Sequence, residues 1–452
     1  MFTNELSIGH KVIDTFDKKD LDAIEIYFSY NNSKQLTING KSISTQRAKE
    51  EMGAGIRIIK NECMGYSFTN ILTEESLINC ANEALTIAKN SPPIKDLCLP
   101  ETQKYGDIKG IYNKDLADLS VDILAEDGLA YIDGFSGIDS RVKSVLSGIT
   151  LSTSGNAILN SNGVEATQQS TFYEASLMAI ASDKDKSGAY VFDTVFERDH
   201  SVDMKAIGEK LGQKAIDNLN QETIKSFEGE IIFEAPAMFN PIGVVIGLAV
   251  SADRQQRGTS FWKDKLAAKV IDEKITFIDK PHDLQGGHGV RIFDDEGTAT
   301  QETEIIKNGV LQTFLHDQRT AAKEGLTSTG NALRQGAQPF MQPPLVIFPN
   351  SPWIKAGDMS KEELIETTKK GLIINNYQGT LRPENGVFSG VAKGAYFIEN
   401  GEIVKPVTGI SISGNVFDIL NKVTGVGKDY HLANNHFRTP IVRFSGITIS
   451  TK

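Results

Sequence analysis

Seven histidines are the first candidates for metal or proton chemistry: His10, His200, His282, His288, His316, His431 and His436. His282 and His288 lie in PHDLQGGHG, just before Asp294-Asp295-Glu296, a donor set that a divalent cation accepts. Their six-residue spacing is not a helical chelate, and the glycines mark a turning loop, so loop polarity is the plainer account. The acids together with Gly297 fit a capped turn. His431 and His436 are five apart in a polar stretch and read the same way. Nucleophile motifs fail on inspection. GISIS (Gly409 to Ser413) misses the last glycine of GxSxG. Ser140 and Lys143 match SxxK, yet on a strand they would face opposite sides. TGVGKD (Thr424 to Asp429) resembles a phosphate loop, but Lys422 replaces its first glycine and Asp429 its magnesium-binding hydroxyl. Asp253, Arg254, Arg257, Gly258 and Ser260, followed by Trp262, form a polar cluster after an apolar run. They are candidates for a cavity wall or a partner face, weighed against a solvated loop with local salt bridges.

The chain has 452 residues, of which 40% are hydrophobic and 23% charged, which suits two or three globular domains. Net charge is −11, from 47 basic and 58 acidic residues, with no basic run. Such a balance disfavours contact with phosphate backbones, so no nucleic-acid partner is expected. The apolar run Ile242 to Val250 is too short to cross a bilayer, and the first twenty residues lack a signal-peptide core. A cytoplasmic protein with no membrane partner is the expectation. Cys63, Cys80 and Cys98 have no zinc-type spacing and read as reduced, small hydrophobes.

Elements that could position these groups follow from periodicity. Leu6 to Lys18 reads as a helix, and AIEIYFSY (Ala23 to Tyr30) alternates as a strand with one buried face. Asn39-Gly40 and Asn61-Glu62 mark hairpins. Thr73 caps a helix to Lys89 whose inner face is Leu77, Cys80, Ala81, Ala84, Leu85 and Ala88. A polar linker follows Ser91-Pro92-Pro93; further on, Asp115 to Tyr131 and Val202 to Asn218 read as helices around the strands of Val142 to Ile180. Beyond Gly229 the chain is mostly strand and loop, including FDDEGTATQETEIIKNGVLQTFLHDQRTAAKEGLTSTG (Phe293 to Gly330), read as acidic turn, strand, Asn-Gly turn, strand and polar loop. One helix is clear there: Ser360 and Glu363 form a capping box, and Gly371 is expected to end it in the left-handed conformation. The predicted fold is α+β, an N-terminal antiparallel sheet-and-helix region followed by a β-rich, barrel-like C-terminal domain. The predicted units are 1–92, 112–222 and 228–452.

Several dispersed segments, in order, resemble the TldD/PmbA family, often described as modulators of DNA gyrase. They are GAGIRIIKNECMGYSFTN (Gly53 to Asn70), ILNSNGVEATQQSTFYEASLMAIASD (Ile158 to Asp183), RGTSFWKDKLAAKV (Arg257 to Val270), the Phe293 to Gly330 signature, and Gly394 to Asp429. The resemblance implies two subunit types, one with a HExxxH zinc helix just before RGxS and a C-terminal cysteine ligand, the other without them. In this sequence Gly243, Val244 and Leu248 fall at the positions of the first histidine, the glutamate and the second histidine, and HLANNHFRTPIVRF (from His431) holds no cysteine. The resemblance therefore implies the PmbA (TldE-type) subunit. Its expected role is a non-catalytic, metal-free component of a peptidase complex that acts on extended or unfolded peptides, with zinc on a TldD-type partner and no cofactor or catalytic residue on this chain. Two alternatives stay open: a homodimeric peptide-binding or regulatory protein, and a hydrolase with an unrecognised site.

Overall fold

A computed structural model describes residues 2–17, 21–184, 186–336, 338–344 and 346–451. The opening helix α1 spans Thr3–Asp17; Lys18 lies outside the described residues. Strands β1 (Ala23–Gly40), β2 (Ser42–Lys60) and β3 (Cys63–Thr69) follow, then helix α2 (Glu74–Asn90), helix α3 (Val121–Ile138), strands β4 (Val142–Asn160), β5 (Glu165–Asp183) and β6 (Val191–Glu197), and helix α4 (Met204–Asp217). Their antiparallel sheet runs β3–β2–β1–β4–β5–β6. The first and central units therefore share one sheet, joined by β1 and β4, where Glu25 pairs with Asn160.

The strands alternate as their sequences do. Ile24, Ile26 and Phe28 pack with Ile56 and Ile58 against α1 and α2, whose inner residues include Phe16, Leu77 and Ala81. Thr73 accepts from the Ser76 amide as the N-cap of α2. Farther along the same strands, Leu36, Ile38, Leu151 and Tyr173 pack against Tyr131, Phe135 and Leu211 of α3 and α4. These two helices cross closely, since a Cβ on Gly208 would sit 2.3 Å from the Tyr131 carbonyl oxygen. The expectation of one buried face for Ala23 to Tyr30 is corrected. Glu25 and Tyr27, on the opposite face, are both 0% exposed, because the C-terminal domain covers them. The hairpin β1–β2 also extends further than predicted. Its polar far end, Ser42 to Met52, continues the ladder because both strands stay paired to Asn39 and Ser42.

The C-terminal domain contains β7 (Phe227–Phe233), the short helix α5 (Val244–Ala249), β8 (Lys370–Arg382), β9 (Val387–Glu399), β10 (Glu402–Val407), β11 (Ile410–Asn415) and β12 (Val442–Thr451). Five of these strands close a barrel in the order β8–β7–β12–β11–β9, with β9 pairing back to β8 from Glu399–Lys370 to Val387–Arg382. Closure leaves no edge on those strands. The barrel core includes Ile231, Phe233, Leu372, Phe388, Ile412 and Phe444, and α5 adds Val245 and Ile246 to it. A second sheet contains Thr303–Lys307, Phe277–Asp279, Pro352–Ile354, Phe437–Thr439 and His431–Ala433. Asn308-Gly309 and Asn400-Gly401 turn their hairpins with positive φ at both residues. The Ser360–Glu363 capping box forms, but Gly371 does not end that helix. Gly371 lies in β8 beside β7, where a Cβ would fall 2.5 Å from the Glu230 oxygen. The expected polar loop after the signature hairpin instead holds a helix, Gln318–Glu324, capped reciprocally by Asp317 and Thr320.

Candidate functional site

The apolar run before Asp253 folds as a π-type turn, Phe239–Gly243, leading into α5. Val245, Ile246 and Ala249 face the core, whereas Val244 and Leu248, four apart on α5, stay partly open. Gly243 lies against the Phe437 ring, and a Cβ at Gly247 would stand 2.3 Å from Phe348. His436 lies at the centre of this wall, stacked on Phe348 at 6.3 Å and edge-on to Phe239 at 6.5 Å. Desolvation, with His288 and Arg291 nearby, pushes the His436 imidazole down to about 4, so it stays neutral at physiological pH. Gly243, Val244 and Leu248 present no nitrogen, oxygen or sulfur side-chain donor, so these three positions offer a zinc ion no ligand. Among the described residues, no three His, Cys, Asp or Glu side chains converge as a metal site elsewhere.

His282 and His288 have different partners. His282 contacts the Thr300 hydroxyl at 3.0 Å, whereas His288 pairs with Glu174 at 2.8 Å. The acidic turn between them and the signature hairpin is a buried clamp. Asp294 accepts from the amides of Glu296, Thr298 and Ala332, and Gly297 closes the turn at φ +86°. Asp295 accepts from the Arg334 amide at 2.7 Å. Glu296 reaches Arg57 of β2 at 2.9 Å, and Arg57 also binds Glu25 of β1 at 2.5 Å. Arg334 binds the second oxygen of Glu25 at 2.8 Å and lies 4.2 Å from the Tyr27 ring centre. These carboxylates and guanidiniums join the first sheet to the C-terminal domain. Desolvation raises the Asp294 and Glu296 carboxyls above their ordinary range.

The cluster after α5 splits. Asp253 binds Arg319 at 2.5 Å and Arg257 at 3.1 Å, and Arg254 lies 4.0 Å from Glu384, all on a partly exposed turn completed by Gly258 at φ +73°. Ser260 is buried and donates to the Ala249 carbonyl at 2.6 Å. Trp262 is 2% exposed and packs edge-on against Phe417. Ser260 thus holds the end of α5 and Trp262 joins the core, while Asp253, Arg254, Arg257 and Gly258 are left as the candidate partner face.

Sequence models of the PmbA/TldA metallopeptidase domain 1, central domain and C-terminal domain match residues 24–88, 114–219 and 227–451. The chain belongs to the PmbA/TldD metallopeptidase family. A metalloprotease PmbA homologue of Buchnera aphidicola is 26% identical over 446 residues, 95% of this chain and 94% of that relative. The crystal structure of TldE from Thermococcus kodakarensis superposes with a TM-score of 0.89 at 26% identity, covering 98% of this chain and 100% of that one. A proposed modulator of a DNA gyrase from Thermotoga maritima gives 0.87 at 25% identity, covering 98% and 100%. Among the described residues, no helix of this PmbA/TldD chain is long and apolar enough to cross a membrane.

A large cavity between β6, α4 and the C-terminal domain escaped sequence reasoning. Its walls include Glu197, Lys214, Glu234, Lys428 and Arg438, which no local spacing links.

Proposed function

We propose that this chain is the metal-free subunit of a PmbA/TldD-type metalloprotease, pairing with a zinc-bearing TldD-type chain. The observation that carries the reading is the open side of α5. Val244 and Leu248 are its partly exposed residues, and they offer aliphatic side chains where metal-assisted hydrolysis needs imidazoles and a carboxylate base. The likeness to TldE supports the same assignment. In this reading the chain closes and shapes a peptide chamber, and an extended peptide is held by main-chain hydrogen bonds that tolerate many side chains.

The test is reconstitution. The purified chain is mixed with a HExxxH-bearing homologue, and cleavage of an unfolded peptide is followed. Activity that requires both chains is expected, together with zinc on the partner alone. Full activity of the partner by itself, or stoichiometric zinc in this chain, would overturn the proposal.

A further inference from the structure

No further inference is drawn: the strongest candidate, the surface patch of the C-terminal domain where half-exposed Phe261 stacks on Phe417 at 3.8 Å, is an unpartnered apolar face, and nothing in the structure shows what covers it.

Discussion

Replacing Arg57 by alanine tests whether the acidic signature turn clamps the first sheet to the C-terminal domain. Arg57 binds Glu25 at 2.5 Å and Glu296 at 2.9 Å, and the three side chains are 3%, 0% and 4% exposed. Truncating one partner of a buried pair costs about 3–5 kcal/mol, because the remaining charge stays desolvated. Glu25 keeps Arg334 at 2.8 Å, whereas among the described residues Glu296 keeps only the Gln318 amide at 3.0 Å. The uncompensated charge is therefore Glu296, and the expected loss is about 3–4 kcal/mol at pH 8. Desolvation already raises the Glu296 carboxyl, and loss of Arg57 removes the chief influence lowering it. The variant's native state should thus bind a proton that its unfolded state lacks above the ordinary glutamate range. Its stability deficit should then shrink as the pH is lowered toward 5, while remaining largest at pH 8. The double variant R57M/E296Q, which removes both charges, should recover part of the loss. Urea unfolding followed by far-ultraviolet circular dichroism at pH 8 and pH 5.5 measures all three. A deficit of R57A below about 1 kcal/mol at pH 8, or one independent of pH, would refute the clamp.

Three further outcomes are expected. His436 is held at about 4 in the folded chain, so the unfolded chain binds the extra proton between that value and the ordinary 6.5. Stability is full above pH 6.5 and falls as pH drops through this window, and H436F should flatten that limb in pH-dependent thermal melts. G208A would press a methyl group to within 2.3 Å of the Tyr131 carbonyl oxygen, so it should wedge α3 from α4 and cost about 1–3 kcal/mol in urea unfolding. S360A removes the oxygen that accepts from the Glu363 amide at 3.1 Å, and hydrogen exchange should show the Lys361–Glu366 helix weakened by about 1 kcal/mol.

Local features were legible in the sequence because their partners lie a few residues away. Thr73 caps its helix, Ser360 and Glu363 cap theirs, and Asn400-Gly401 turns its hairpin through contacts that the chain makes with its own neighbours. The inner face of α2 was readable for the same reason, since helical geometry alone puts Leu77, Ala81, Ala84 and Ala88 together. The donor-free residues Gly243, Val244 and Leu248 were also plain from the sequence. Burial of a second face was not legible. Glu25 looks like the solvent side of a strand until Arg334, 309 positions away, is laid against it. Barrel closure likewise depends on β7 and β12 meeting from opposite ends of the domain. The division of the 253–262 cluster into surface and core depended on where Phe417 and Ala249 came to lie. Alternation and capping are properties of neighbouring residues, and the chain alone determines them. Which charged side chains lose their water is decided only when distant segments pack, because desolvation depends on what covers a group and not on what adjoins it in sequence.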